Sequence, residues 1–256
     1  MVIVPIVGIP SYPPKLTNIN ANEDLVCMRV EDLKNYGTNM HDLAERVPKE
    51  KTKKAEKMLF SVIIKEMGLW KALKLRSIIR RKTKELSKIN LDRIRTFCTN
   101  EDFIQAKIND AATFAAIQEL TSPEEAKQIY MKIMNKVIPI VNSSMYPDPS
   151  IINNLENKFD IVKQFILSIM ETDMKDGLHI IEVVEDTPDA LQFNVTKCAW
   201  YETKKELGVP EATFQDCYAD EVSLPGMLDK VDVKFTRTQT IANGAMFCDF
   251  RFERIK

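Results

Sequence analysis

The sequence predicts an α+β fold, in which a mostly helical amino-terminal two-thirds packs on a carboxy-terminal antiparallel sheet of about four strands. From about residue 23 to residue 141, apolar residues recur at spacings of three and four with few glycines, as in helices. From Gly177 onward, short runs of β-branched and aromatic residues are separated by turn-forming residues, as in strands. Segregated helices and strands are typical of this class, with helices covering one face of the sheet.

The length and composition are those of one domain of enzyme size. With 256 residues, 45% of them hydrophobic, the chain can bury a large core. We expect a single domain over 1–256, with a helical part over 1–148 and a second part over 149–256 that contains a helix, the sheet and the functional site. The proline-containing segment 146–150 is the expected seam.

The helices can be placed from their apolar spacing and their ends. After a proline-rich lead to Pro14, we expect one long helix or a kinked pair over 49–88, and further helices over 100–119, 122–139 and 149–173, with Pro48, Pro123 and Pro139 marking breaks. Ser122 offers a capping hydroxyl, Pro123 suits the first turn, and two glutamates follow near the positive helix end.

The segment 49–88 is both amphipathic and basic. Residues 46–95 contain 17 Lys and Arg against 5 Asp and Glu, although the whole chain has a net charge of -1. We expect its apolar stripe to be core, and its basic face to pack against the acidic half of the protein. The alternative is a membrane surface, since an interfacial helix also has a basic face and a Trp. We expect no nucleic-acid partner. The stripe comprises Met58, Leu59, Val62, Ile63, Met67, Leu69, Trp70, Leu73, Ile78 and Ile79.

Cysteine and glycine usage excludes several classes of protein. Five cysteines, an odd number without a CxxC pair, and no signal peptide predict reduced thiols in the cytoplasm. The opening apolar run of about nine residues, interrupted by Pro5, is too short to span a bilayer. Seven glycines and no glycine-rich loop argue against a nucleotide site, and we expect no cofactor.

Two hairpins supply the sheet. Residues 178–184 and 191–201 should pair antiparallel around the turn 186–189, and 203–220 should be mostly helical with a break near Gly208. The last hairpin centres on Asn243-Gly244, which favours a two-residue type I′ turn. In that register Phe235 faces Phe252, Arg237 faces Phe250 and Gln239 faces Cys248.

This register puts a polar cluster on an apolar face. Arg237, Gln239 and Cys248 then share a face with Met246 and several Val, Ile and Phe residues, whereas Asp249 points to the wetter face. A buried guanidinium needs a partner. Arg237 is therefore either part of a structural salt bridge or the centre of an anion-binding pocket.

The same residues resemble a known family. The run RTQTIANGAMFCDFRF at 237–252, preceded by CAWYETKKELGVPE at 198–211 and by Cys217-x-x-Asp220, is similar to the carboxy-terminal signature of the L-2-amino-thiazoline-4-carboxylic acid hydrolase family. The similarity covers about 190–254. Its core is the Arg-Thr pair at 237–238, Thr-Ile-Ala at 240–242, Gly244 and Cys-Asp-Phe at 248–250.

The resemblance implies hydrolytic opening of a small carboxylated cyclic amidine or thioimidate to a carbamoyl-cysteine product. It implies that Arg237, together with Thr238 and Gln239, binds the substrate carboxylate. Either Asp249 or Asp220 would hydrogen-bond the amidinium and direct water. The nucleophile that attacks the amidine carbon would be Cys248 or Cys198.

Residue chemistry leaves the role of the thiols open. Cys248 beside Arg237 is either an activated thiolate or a small buried hydrophobe. Cys198, Cys217 and Cys248 with a carboxylate or a histidine could ligate a metal, but their spacing is not that of zinc ligands, and we expect none. Neither histidine of the chain has a Cys or Ser neighbour in sequence, so we expect no histidine-based triad.

A non-enzymatic function is the competing hypothesis. The pattern Gly244-x-x-x-Cys248-x-Phe250 after a helical start is also similar to ligand-binding domains related to bacteriochlorophyll vinyl reductases. Such a module would enclose an apolar ligand in a long apolar tunnel, whereas a hydrolase would bring Arg237 and a carboxylate together in a small site.

Overall fold

The computed structural model describes residues 47–145 and 149–255. The proline-rich lead, Cys27, His41 and residues 146–148 of the expected seam lie outside this range. The helices are α1 Lys49–Met67, α2 Leu69–Leu86, α3 Asp92–Arg95, α4 Glu101–Leu120, α5 Pro123–Met145, α6 Pro149–Ile152, α7 Lys158–Lys175, α8 Ala199–Glu206 and α9 Phe214–Leu228. The strands are β1 His179–Asp186, β2 Ala190–Cys198, β3 Val233–Thr236 and β4 Cys248–Arg254.

Of the two alternatives for 49–88, one long helix or a kinked pair, the structure has the pair. Gly68 has a φ of 81°, which is in the region that favours glycine, and it separates α1 from α2. The stripe is only partly core. Ile63, Met67 and Ile79 are buried, but Leu69, Trp70 and Leu73 are exposed, and for these three the prediction is wrong.

Side-chain caps begin α4 and α5, and the cap of α5 is the one predicted at Ser122. The Asn100 side chain accepts a hydrogen bond from the Phe103 N–H at 2.9 Å. Ser122 Oγ accepts from the Glu125 N–H, and the Glu125 carboxylate accepts from the Ser122 N–H, which forms a capping box. The end predicted at Pro139 is wrong, because α5 continues through this proline.

One predicted helix is interrupted. Instead of a continuous helix over 149–173, the chain forms the short α6, a turn over 153–157 and then α7. The interruption contains three asparagines, whose side chains compete with helical backbone hydrogen bonds. The helix predicted within 203–220 is confirmed with its break, since a 3₁₀ turn at Pro210–Thr213 joins α8 to α9. The strand predicted over 191–201 ends early, because β2 stops at Cys198 and α8 begins at Ala199.

The strands form one antiparallel sheet in the order β1-β2-β4-β3, which confirms the α+β class. The register of the last hairpin is as predicted over 233–236, with Phe235 opposite Phe252. The predicted pairs Arg237–Phe250 and Gln239–Cys248 are not part of the ladder, because β3 ends at Thr236. The turn also differs from the prediction. Residues 237–247 form a longer loop with a 3₁₀ turn at Ile241–Asn243, only Gly244 takes a positive φ, and Met246 is exposed rather than on the apolar face.

The buried apolar residues form two hydrophobic clusters. One contains residues of all five helices from α1 through α5, together with residues of α8 and of the 3₁₀ turn that follows it. The other holds α7 and α9 against the face of the sheet that bears Leu191, Phe193, Val195, Cys248 and Phe252. No helix in the described part of the chain is long and apolar enough to cross a membrane.

Candidate functional site

The first hairpin brings a histidine and a cysteine together. His179 begins β1 and Cys198 ends β2, and the two are paired across the ladder. The register shifts between Ile180 and Ile181, where β2 has one extra residue, and Cys198 packs against the hydrophobic cluster beneath the sheet. The expectation of no histidine-based triad rested on sequence neighbours, and these do not reveal this cross-strand pair.

An aspartate completes the arrangement from the end of α7. Asp173 Oδ2 lies 2.9 Å from His179 Nδ1. The chain reverses between them because the Leu178 N–H donates to the Asp173 carbonyl and the Gly177 N–H to the Met174 carbonyl, which is a Schellman ending. Gly177 has a φ of 69°, and a Cβ there would lie 1.6 Å from the Phe97 carbonyl oxygen, so this position requires glycine.

Aromatic stacking fixes the orientation of the His179 imidazole. The Trp200 ring stacks on His179 with centroids 4.6 Å apart and an interplanar angle of 12°. Phe103 contacts Trp200 edge-on at 4.8 Å. The His179 side chain is 19% exposed and Cys198 is half-buried, so neither is sealed from solvent.

The imidazole is held in its protonated form. Burial lowers the pKa of His179, but hydrogen bonds with Asp173 and Cys198 outweigh this and raise the pKa to about 10. An imidazolium that hydrogen-bonds a thiol stabilises the thiolate and can later donate its proton. Cys198, His179 and Asp173 thus have the composition of a nucleophile, acid–base and orienting group.

A second set of polar groups surrounds Arg237. Its guanidinium donates from Nη1 to Asp220 at 2.8 Å, and from Nη2 to the Cys217 carbonyl at 2.7 Å and to Glu221 at 3.1 Å. Only 3% of the Arg237 side chain is exposed. The structure therefore contains the salt bridge, which is one of the two interpretations of this residue.

Electrostatic interactions couple the Cys198–His179–Asp173 group to the polar groups around Arg237. Burial raises the pKa of Asp220 to about 6 against the opposing effects of Arg237 and His179. Burial also raises the pKa of the Cys217 thiol, and the charges of Asp220 and Cys198 add to the increase. A carboxyl group with a pKa near neutrality can exchange protons during a reaction at neutral pH.

Cys248 is in the same region but is less suited to attack. It begins β4, is buried, and its Sγ accepts a hydrogen bond from the Ile241 N–H at 3.2 Å. Burial raises its pKa to about 11, although the Ile241 N–H and the Arg237 charge oppose this. A thiol that stays protonated at neutral pH is a poor nucleophile.

Asp249 anchors the loop 237–247 and does not contact Cys198 or His179 through any of these hydrogen bonds. Its carboxylate accepts from the N–H groups of Thr238 and Gln239 at 2.9 and 2.8 Å and from Thr238 Oγ1 at 2.7 Å. These hydrogen bonds outweigh burial and lower the pKa of Asp249. It is paired with Asn194 in the sheet, on the face opposite Cys248. The predicted substrate-binding groups of Thr238 and Gln239 thus serve at least partly to anchor their own loop.

A buried ion network fixes the start of α9, the helix that carries Cys217 and Asp220. The ammonium of the fully buried Lys204 binds Asp216 and the Ala212 carbonyl. Lys107 reaches the same Asp216 at 3.1 Å. Because each charge is paired, the network holds the register of this helix against α4 and α8.

No metal site is evident in residues 47–145 and 149–255, where no three His, Cys, Asp or Glu residues are grouped to hold an ion. A cavity of about 280 Å³ lies elsewhere, between the start of α5 and the loop after β3, and is lined by Gln118, Lys127, Glu211 and Phe214 among others. None of the described cysteines lines it.

Comparison with known proteins bears on the half of the chain that holds this site. No curated protein matches the chain. A family model does: the model for L-2-amino-thiazoline-4-carboxylic acid hydrolase matches residues 102–252, a range that includes Asp173, His179, Cys198, Asp220 and Arg237.

Proposed function

The chain belongs to the L-2-amino-thiazoline-4-carboxylic acid hydrolase family, and on that premise we propose that it opens a small carboxylated cyclic amidine with Cys198 as the nucleophile. The observation that carries the proposal is the Cys198–His179–Asp173 arrangement. The family name supports a hydrolase. The choice of bond and of nucleophile rests on this geometry and on the chemistry of such a ring.

In the first step the sulfur of Cys198 replaces the ring sulfur on the amidine carbon. The Cys198 thiolate attacks the amidine carbon, which lies between the ring sulfur and two nitrogens, and forms a carbon–sulfur bond. The bond from that carbon to the ring sulfur then breaks, and the imidazolium of His179 donates its proton to the departing thiolate. Because a thiolate both attacks and leaves, neither direction is strongly disfavoured, which makes cysteine a suitable nucleophile.

In the second step water releases the product. Asp220, whose pKa is about 6, takes a proton from water, and the oxygen attacks the same carbon. The bond to Cys198 breaks and the thiolate is regenerated. Asp220 passes its proton to a product nitrogen, and the second proton of the water returns to His179, which restores the imidazolium. The product is a carbamoyl-cysteine, with one water consumed and no oxidant or cofactor required.

The substrate carboxylate would bind at Arg237 by exchange. Both terminal nitrogens of Arg237 already donate, but one of the acceptors, Glu221, is on a side chain that is 57% exposed. We place the substrate carboxylate where Glu221 now binds Nη2, while Asp220 keeps Nη1. The substrate carboxylate then shares the Arg237 guanidinium with Asp220.

The same reasoning reassigns the other predicted catalytic residues. Cys248 is a buried thiol that stabilises the loop through Ile241, and Asp249 anchors that loop, so neither takes part in a chemical step of this proposal. A reactive thiolate needs a reducing environment, and we accordingly place the protein in the cytoplasm.

The direct test is turnover of a carboxylated aminothiazoline by the purified chain, followed by thiol release and by the mass of the product. We expect one thiol and one carbamoyl-cysteine per ring opened, at equal rates with and without a chelator. Loss of turnover with chelator would contradict the thiol mechanism. Tight binding of apolar ligands without turnover of any cyclic amidine would instead favour the binding-module hypothesis.

A further inference from the structure

An apolar corner projects from the helical part of the protein where α1 meets α2. Leu69, Trp70 and Leu73 are 53%, 78% and 56% exposed, although they occupy the first turns of α2. The same helix buries Ala72, Leu75 and Ile79, so it already has its core-facing stripe. The exposed trio is a second apolar surface that no described element covers.

The chain around this corner is uniformly basic. Residues 69–84 include seven Lys and Arg and no Asp or Glu. Arg81 and Lys82 are bound to Glu119 and Glu85 on neighbouring turns and helices. Lys71 and Lys74 are exposed beside the apolar trio. Hydrogen bonds with Ser122 lower the pKa of Glu125, and the charge of Lys71 adds to the decrease.

We propose that this corner, formed by Leu69, Trp70, Leu73, Lys71 and Lys74, docks on an anionic lipid surface. Trp and Leu side chains enter the boundary between headgroups and acyl chains, while lysines beside them meet lipid phosphates and carboxylates. An acidic protein surface would match the lysines but offers no general site for a Trp and two Leu. Docking leaves the Cys198 site unchanged and does not depend on the proposed reaction.

The two tryptophans of the chain make the docking measurable. Trp70 is exposed, whereas Trp200 is packed between His179 and Phe103, so a change in emission on docking reports on Trp70. The full chain is mixed with vesicles of phosphatidylcholine, with or without phosphatidylserine, and emission and co-sedimentation are recorded. We expect a blue shift and sedimentation only with phosphatidylserine, and both should weaken as salt is added.

Charge and apolar variants identify the surface. Lys71→Glu with Lys74→Glu should weaken binding to anionic vesicles at least about tenfold, and Trp70→Ser should abolish sedimentation. The matched controls are Lys53→Glu with Lys54→Glu, which makes the same charge change on exposed positions of α1, and Met246→Ser, which removes an apolar side chain that is 89% exposed. These should bind nearly as the unaltered chain does.

Two results would overturn the proposal. One is an absence of binding to anionic vesicles by the full chain. The other is binding that the Lys53 and Lys54 reversals weaken as much as those of Lys71 and Lys74, which would indicate only a general effect of net charge. Circular dichroism of each variant confirms that it is folded.

Discussion

His179 and Cys198 lie opposite each other on the first two strands, and their hydrogen bond helps keep the imidazole protonated. The residues are 19 positions apart in sequence, and the hairpin alone makes them neighbours. Its hydrogen bond with His179 distinguishes Cys198 from the other free cysteines of the described residues. It also defines how the remaining polar groups contribute.

Asp173 is a positioning residue for the imidazole. Asp173→Ala should lower kcat by roughly 10²-fold with little change in KM, because the ring loses its orientation while substrate contacts remain. Asp173→Asn should recover part of the rate, since an amide oxygen can still accept from Nδ1. Steady-state kinetics of the two variants at matched folded fraction checks this. Equal activity of both variants would mean that the contact is only structural.

The rate should depend on pH through two groups. kcat/KM should rise as Asp220 loses its proton near pH 6 and fall as His179 loses its proton toward pH 10. Asp220→Asn should lower the rate and remove the limb near pH 6. Glu221→Gln, one residue away, should keep that limb. A limb near pH 6 that persists in Asp220→Asn would assign it to another group.

Stability should also change with pH because of His179. Its pKa is raised from 6.5 in the unfolded chain to about 10 in the folded one. The stabilisation is therefore fully present below pH 6.5 and is lost as pH rises through 10, by up to about 1.4 kcal/mol per pH unit between these values. Denaturant unfolding of the protein and of His179→Asn across this range measures the difference. Parallel curves would show that the proton is not held as described.

Glu221 should compete with the substrate. Glu221→Ala removes an exposed partner of Arg237, so KM for a carboxylated substrate should fall about fivefold while stability changes by less than about 0.5 kcal/mol. Glu182→Ala, an exposed acid on β1, is the control for net charge. An unchanged or higher KM in Glu221→Ala alone would show that the carboxylate binds elsewhere.

The sequence predicts the fold class, most helix starts and the sheet because these depend on local periodicity and capping. It also predicts the register of β3 against β4, with Phe235 opposite Phe252, although the loop between the strands is longer than a two-residue Asn-Gly turn. The same argument applied to the turn at 186–189 would place His179 within about two residues of Cys198.

The rest of the site depends on contacts that sequence spacing does not encode. The shift of register at Ile180 turns Cys198 toward the core, and the tight Gly177 turn against Phe97 brings Asp173 to His179. The partners of Arg237 come from α9, whose position is set by packing and by the buried Lys204–Asp216 pair. Exposure of Trp70 likewise depends on which face of α2 finds a partner.

The most direct measurement compares Cys198→Ala, Cys217→Ala and Cys248→Ala on a carboxylated aminothiazoline, with intact-protein mass recorded during turnover. The account predicts that Cys198→Ala loses essentially all activity, that the other two retain at least about a tenth of it, and that a substrate-derived adduct forms on Cys198 alone. Turnover that survives in Cys198→Ala, or an adduct on Cys248, would contradict it.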